Sequence, residues 1–225
     1  LIGYAYSLYP GFTDFDLYGS AWDIRQNLQG WNPGGYANAD VDRAIRDYRA
    51  GKYEIDVLGS SAVSFWGVRE AGVLRPYVSS EAGALNREMK DSKGFWSSSY
   101  SNVLAIICNK NRVKSAPKSW KDFVDPKWKG DFSIDTERFQ WFYALQKIYG
   151  DEEARKLILA YVQNGAQIRR GGTLQAQLVA AGEYACALAV YLDNVHLLLK
   201  SGAPVTYSVP EPVLLSPTII MMPKF

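Results

Sequence analysis

Apolar runs and amphipathic stretches alternate along most of this chain, and together they predict its secondary structure. Short apolar runs bounded by glycine or polar turn residues predict buried strands, and they lie at residues 53–58, 102–108, 131–135, 184–191, 205–209 and 218–222. Apolar positions spaced by three or four residues predict helices, and they lie at residues 40–50, 62–71, 116–124, 137–149, 173–181 and 193–200, with a further helix starting at residue 151. Strands and helices therefore alternate over most of the chain, which favours an α/β fold with a mostly parallel sheet.

Polar residues with capping chemistry mark where several predicted helices begin. Ser119 is expected to form a capping box with Asp122. In this arrangement the Ser119 side chain accepts a backbone N–H of the first helical turn, and the Asp122 side chain accepts the backbone N–H of Ser119. Thr173 and Asp193 are expected to cap two later helices. Gly182 follows the first of these two helices, at a position where glycine commonly ends a helix.

The size and charge of the chain narrow the classes of function. Its 225 residues, 48% of them apolar, are enough for one large domain or two lobes with a real core. The 25 Lys and Arg residues against 23 Asp and Glu leave a net charge of +2, which argues against a nucleic-acid-binding platform. No apolar run reaches the length of a membrane span. The 15 tyrosines and 7 tryptophans suit either a packed core or a solute cleft, and composition favours the core.

Residues able to carry catalysis or bind a metal are few and dispersed. His196, the one histidine, lies on a predicted helix beside leucines and is expected to be a surface residue. Cys108 and Cys186 each lie inside an apolar run and are expected to be small core residues, with a disulfide between them as the alternative. This set supports neither a nucleophile with its base nor a metal cluster, so no enzyme, cofactor or metal site is predicted.

A turn of two arginines and two glycines is the strongest candidate for a binding site. It comprises Arg169, Arg170, Gly171 and Gly172 and leads into Thr173. The backbone N–H groups at the start of the following helix would point at one position, which suits an anion or a polar solute. Two adjacent arginines do not readily point the same way, so we expect only Arg170, the nearer to the helix, to reach a solute. The alternative is a basic surface turn that only caps the helix.

Several runs of residues, in their order and spacing, resemble the extracellular solute-binding proteins of ABC importers. The resemblance is to the group that includes ferric-iron, thiamine, polyamine and phosphonate binders. It is carried by residues 56–61, 100–104, 116–123, 125–130, 167–178, 202–205 and 211–213. It implies the two-lobed type II fold of periplasmic binding proteins. Members of the group usually have a further strand at the start and further helices at the end, so we expect this chain to be truncated at both ends.

The same resemblance implies how the chain is divided into lobes. One lobe is expected to comprise residues 1–100 with 204–225, and the other residues 101–203. The hinge is expected near residues 100–102 and 202–205. Closure of the two lobes around a solute is the implied mechanism.

The resemblance also suggests solute contacts outside the glycine turn. Ser60 and Ser61 follow a predicted strand, where ligands commonly bind in α/β sheets, although simple helix capping explains them equally well. Tyr100 and Ser101 lie at the predicted crossing between lobes. Tyr191 ends a predicted strand at the level where iron-binding members use tyrosine, and packing is the alternative. Those members typically have adjacent tyrosines there, and the single one here gives little support for ferric iron.

The function implied is the capture of a small solute, anionic or oxygen-rich, and its delivery to the permease subunits of an ABC importer. Alternatives are a binder of ferric iron or of a cationic solute such as thiamine or a polyamine, or a bilobed sensor or receptor domain. The protein is expected to be a periplasmic or extracellular monomer, secreted or lipid-anchored. The solute and the permease are its expected partners, and nucleic acid is not.

Overall fold

The computed structural model describes residues 39–52, 55–62, 65–136 and 138–224. The residues before 39, and the predicted start of the first strand, lie outside this part of the chain. None of the helices it describes has the length and hydropathy that a bilayer crossing requires.

Six α-helices and eight β-strands form in the described residues. The helices are α1 (Ala39–Arg49), α2 (Phe65–Glu70), α3 (Phe139–Tyr149), α4 (Asp151–Gln163), α5 (Gly172–Ala181) and α6 (Leu192–Lys200). The strands are β1 (Leu58–Ser61), β2 (Leu74–Arg75), β3 (Ser97–Asn109), β4 (Phe132–Asp135), β5 (Gln167–Arg169), β6 (Cys186–Tyr191), β7 (Val205–Ser208) and β8 (Leu215–Pro223). Most predicted elements therefore appear, with bounds that differ by a few residues.

The chain divides into two compact units. One unit is Asn102–Leu215, and the other takes the described residues of 39–101 together with 216–224. The first boundary lies within residues 100–102, whereas the second lies beyond residues 202–205. The hinge itself stays a prediction.

In the 102–215 unit the strands form a sheet in the order β7–β3–β6–β4–β5. β4 is parallel to β5 and β6, whereas β3 is antiparallel to β6 and β7. The sheet is therefore mixed, and the expectation of a mostly parallel sheet is wrong. A strand buried on both faces gives a continuous apolar run whatever the direction of its neighbours, so the hydrophobic pattern does not reveal this.

Helices cover both faces of this sheet. On one face α3, α4 and a 3₁₀ helix enclose a core that is rich in aromatic rings. Its large side chains are Trp120, Phe123, Phe132, Trp141 and Tyr161. On the other face α5 and α6 pack over a smaller aliphatic core, formed by Ile107, Val179, Val190 and Val195. Burying each large apolar side chain stabilises the fold by about 1.5–3 kcal/mol, so these two layers hold the sheet in place.

A disulfide joins the two central strands of the sheet. Cys108 of β3 lies directly opposite Cys186 of β6, with 4.0 Å between their Cα atoms, and the two sulfurs are bonded. The prediction that both are free core cysteines is therefore wrong, and the alternative of a disulfide is correct. Both residues are fully buried, as predicted, but the pairing depends on antiparallel register, which their apolar surroundings do not specify.

A β-bulge interrupts β6 close to its end. Between the pairs Ala105↔Val190 and Ile107↔Ala187, β6 has one residue more than β3. Ala189 lies in the bulge with φ of 57°, a left-handed value that costs a residue with a side chain about 1–2 kcal/mol. Such a conformation persists only where its surroundings impose it.

The other unit is built on β8, which pairs with β1, β2 and the first residues of β3. The helices α1 and α2 cover one face of this sheet through a small core that includes Leu58, Phe65, Val68, Ile219 and Met221. On the other side, the exposed Ile220 lines an apolar groove of about 610 Å³ with Tyr77 and Trp96.

One of the three predicted N-caps is present in the structure, and the other two are not. The capping box is present, with Ser119 accepting a backbone N–H and Asp122 accepting the Ser119 N–H. α5 begins at Gly172, so Thr173 lies inside its first turn and does not cap it. α6 begins at Leu192, one residue before Asp193. The N-cap positions are held instead by Gly171 and Tyr191, and neither makes a side-chain capping bond.

Candidate functional site

The carboxyl ends of three strands meet at one edge of the 102–215 unit. β4 is parallel to β5 and β6, so Asp135, Arg169 and Tyr191 end their strands on the same side. Helices α3, α5 and α6 each begin within a few residues of these ends. Open α/β sheets bind ligands at this edge, where helix N-termini contribute partial positive charge.

Arg138 is the central side chain of this edge. Its Nη2 lies 3.4 Å from Oδ2 of Asp135, in a pair whose side chains are only 11% and 1% exposed. Its Nε donates a hydrogen bond to the Ala189 carbonyl at 3.1 Å. Its guanidinium lies 4.1 Å from the centroid of the Tyr191 ring, a cation–π contact. Arginine suits this position because its planar group can donate in several directions and stack at the same time.

The bulge in β6 explains two of these contacts. It gives Ala189 a left-handed backbone, and the carbonyl of that residue accepts the bond from Arg138. It also places Tyr191 with the core under α3, against which its ring packs. The Tyr191 hydroxyl accepts a hydrogen bond from Gln140 Nε2 at 3.1 Å, so the ring is held at its edge as well as on its face.

The two glycines at the start of α5 are required by close packing and by backbone conformation. Gly171 has φ of 97°, and its N–H donates to Oδ1 of Asp135 at 3.1 Å. A Cβ on Gly172 would collide with Nη2 of Arg138 and lie 3.5 Å from Oδ2 of Asp135. The helix therefore approaches the ion pair as closely as a backbone can.

A buried polar contact holds α5 in this position. Gln175, in the first turn of α5, accepts a hydrogen bond from Oγ of Ser133 at 2.6 Å, and both residues are fully buried. Tyr184 donates to the Gln175 carbonyl at 3.5 Å, and burial raises the pKa of Tyr184, so its phenol stays neutral. Because a buried polar group without a partner is costly, these bonds favour one placement of the helix start.

The charges of the ion pair balance each other within the protein. Asp135 accepts a hydrogen bond from the Gly171 N–H at the start of α5, and it pairs with Arg138. Its carboxylate therefore neutralises the two groups that would otherwise attract an anion, the helix start and the guanidinium. Arg138 has further N–H groups beyond the two that make these contacts. The ion pair therefore offers hydrogen-bond donors while adding no net charge of its own.

The structure brings together only some of the residues predicted from the glycine turn. Gly171, Gly172 and Tyr191 lie around Arg138, whereas Thr173 is exposed in the first turn of α5. Arg169 and Arg170 are both exposed, and Arg169 donates to the neighbouring carbonyl of residue 168. The predicted role of Arg170 in binding stays a prediction.

Arg138 and Asp135 are not among the site residues predicted from the sequence. Asp135 ends a predicted strand and Arg138 lies just before the next helix, as Arg169 and Arg170 do at the end of β5. This shared order of strand, arginine and helix is a signal that could have identified them, because parallel strands place both turns at one edge of a sheet.

The other predicted contacts lie in the second unit. Ser60 and Ser61 are in strand β1 and not in a turn after it, and Ser60 is buried. The helix that follows, α2, begins only at Phe65. Tyr100 is 57% exposed, and Ser101 contacts the sulfur of Met89 at 3.7 Å. Their role in binding stays a prediction.

Within the described residues no three His, Cys, Asp or Glu side chains are grouped so that they could hold a metal ion. His196 is exposed on α6, as predicted, and its ring lies against that of Tyr207, with Nε2 3.5 Å from the hydroxyl oxygen. Asp135, Arg138 and Tyr191, with Gly171 and Gly172, form what we call the Arg138 cluster. Its Tyr191 hydroxyl is the phenol oxygen that the iron-binding resemblance would require.

Comparison with known proteins identifies the family of this fold. Residues 56–224 match the family model of a bacterial extracellular solute-binding protein. An uncharacterized protein of Haemophilus influenzae is 28% identical over 155 residues, a match that covers 63% of this chain and 44% of that relative. The chain therefore spans less than half of this relative.

Solved structures share the fold at low sequence identity. The periplasmic binding protein AfuA from Actinobacillus pleuropneumoniae, solved with exogenous fructose-6-phosphate bound, has a TM-score of 0.69 at 21% identity, covering 94% of this chain and 71% of AfuA. Ferric iron-Binding Protein A from Mannheimia haemolytica, in an open conformation, has a TM-score of 0.71 at 16% identity, covering 94% and 72%. At these identities the likeness shows the type II periplasmic binding fold and not the solute.

Proposed function

Because the chain belongs to the bacterial extracellular solute-binding protein family, we propose that it captures a small solute outside the cytoplasm and delivers it to the membrane subunits of an ABC importer. The observation that supports a solute site in this chain is the Arg138 cluster. The guanidinium of Arg138 is about nine-tenths buried, and it stacks on the Tyr191 ring beside the starts of three helices. Packing alone is a poor explanation for a buried charge in this position. A periplasmic or cell-surface location agrees with the Cys108–Cys186 disulfide, since disulfides persist in oxidising compartments.

The solute is an oxygen-rich molecule in this proposal. The donors proposed at this edge are the remaining N–H groups of Arg138, with the exposed Arg170 at the end of the neighbouring strand. Hydroxyl, carbonyl and carboxylate oxygens are their natural acceptors. Each bond from a charged donor contributes about 1.5–3 kcal/mol, so two such bonds are enough to select for oxygen acceptors.

Binding by purified protein tests this function. Native mass spectrometry of protein from its own host identifies a bound solute, and calorimetry measures its affinity. Arg138→Ala should weaken binding at least tenfold, while Arg112→Ala should leave it unchanged. Arg112 is a matched control because it also pairs with a carboxylate, Asp131, at 2.9 Å, but Asp131 precedes β4, at the opposite end of the strand from Asp135. Equal effects of the two substitutions, or no bound solute, would count against the site.

Ferric iron is the second candidate, because the Tyr191 hydroxyl lies at the proposed site. We expect no tight iron site of the multi-tyrosine type. The Tyr191 ring already has a guanidinium on its face, and the Tyr191 hydroxyl oxygen accepts a hydrogen bond from Gln140. A visible phenolate-to-iron absorption band that disappears in Tyr191→Phe would establish iron instead.

A further inference from the structure

We propose that Asp135 is a built-in anion that decides which solutes this edge accepts, because it supplies to Arg138 and to the start of α5 the negative charge that a phosphate group would otherwise supply. This inference rests on the proposed solute site and narrows its substrate class. It predicts preference for neutral oxygen-rich solutes and exclusion of phosphate-bearing ones from the start of α5.

Asp135 makes the contacts of a bound anion. One of its oxygens accepts the Gly171 N–H at 3.1 Å, and the other lies 3.4 Å from Nη2 of Arg138. An N–H at the start of a ten-residue helix together with an arginine is a combination that commonly binds phosphate. The Asp135 side chain is 1% exposed, so it fills this position without reaching into solvent.

The charge of Asp135 opposes a second anion beside it. The start of α5 lies directly against the ion pair, since a Cβ on Gly172 would collide with the guanidinium. An incoming phosphate would face the Asp135 carboxylate at close range in a region that excludes water, where like charges repel strongly. A neutral hydroxyl or carbonyl oxygen meets no such repulsion and can still accept from the free N–H groups of Arg138.

Removing the internal charge should therefore create an anion site. Asp135→Asn keeps the size of the side chain but leaves Arg138 buried without a counter-charge, a state that recruits an anion. The probe is inorganic phosphate, titrated at constant ionic strength against a bulky sulfonate buffer anion, with the thermal midpoint of the full chain as readout.

We expect phosphate to raise the midpoint of Asp135→Asn by about 3–6 °C at tenfold its dissociation constant. Wild type should not respond, and neither should the control Asp135→Asn/Arg138→Gln, which lacks the recruiting charge. If Asp135→Asn does not fold in sulfonate buffer, phosphate should restore its circular dichroism spectrum. An equal response of wild type, no response of a folded Asp135→Asn, or a variant that stays unfolded in phosphate would each overturn the proposal.

This test is separate from that of the solute site. A phosphate response of Asp135→Asn that needs Arg138 supports the internal anion even if no natural solute is found, in which case only the proposed function fails. Conversely, a solute that binds through Arg138 together with an unresponsive Asp135→Asn supports the function and refutes the role of Asp135.

Discussion

Removing the Cys108–Cys186 disulfide should destabilise the 102–215 unit by about 4–5 kcal/mol. The two cysteines are separated by 78 residues in sequence, and closing a loop of that length in the unfolded chain corresponds to about 4.5 kcal/mol at 25 °C. Cys108→Ala/Cys186→Ala also removes two buried sulfur atoms, which adds about 1 kcal/mol for each. The double variant should therefore be less stable than the reduced wild type by about 2 kcal/mol.

Urea unfolding measures this difference. Tryptophan fluorescence reports on the unit because Trp120 and Trp141 are buried in its core. With a slope of about 2 kcal/mol per molar urea, reductant should lower the midpoint of the wild type by about 2 M. The double-alanine variant is the control, and the same reductant should leave its midpoint unchanged.

The buried position of the disulfide adds a kinetic expectation. Both cysteines are fully buried, so reductant should break the bond only when urea first opens the unit. Mass spectrometry after alkylation reports the number of free thiols. Two alkylated thiols in the unreduced native protein, or a urea midpoint that reductant does not shift, would refute the reasoning.

Three further substitutions test other parts of the structure. Gly172→Ala should lower the free energy of unfolding by about 1–3 kcal/mol in urea, because its Cβ collides with a guanidinium that is held on three sides, while Gly67→Ala, with open space around it, should not. Burial raises the pKa of Tyr161 well above 10, so the unfolded chain loses this proton first and stability falls as the pH rises past 10. In Tyr161→Phe the free energy of unfolding should fall less steeply above that pH. Arg170→Ala should weaken solute binding in calorimetry by about tenfold, the loss of one charge-assisted bond, and Arg169→Ala should matter less.

The order of helices and strands could be predicted from the sequence because it depends on local patterns. The capping box of Ser119 and Asp122 is an example, since all of its atoms lie within four residues. The partners of the strands could not be predicted in the same way. The run around Cys108 is apolar whether its neighbour is parallel or antiparallel, so neither the mixed sheet nor the disulfide follows from it.

Local patterns predict which residues lie at strand ends and helix starts, but not which side chains are buried there. The glycine turn and Tyr191 do lie at the strand ends, because strand ends and helix starts follow from local patterns. Arg138 differs from Arg169 and Arg170 because it is buried beside the Ala189 carbonyl. Its burial in the site therefore cannot be predicted from the sequence. That carbonyl is available only because of a bulge, and no periodicity in the run 184–191 reveals one extra residue.

The bulge at Ala189 reverses the alternation of side chains along β6. Before it, Cys186 and Leu188 face the core of α3 and α4 while Ala187 faces α5 and α6; after it, Val190 faces α5 and α6 and Tyr191 packs towards α3. Without the extra residue, Tyr191 would point to the opposite side of the sheet. A relative that lacks this one residue would therefore turn the other face of the strand end towards Arg138. The insertion or deletion of a single strand residue is thus enough to change which side chain lies beside this arginine.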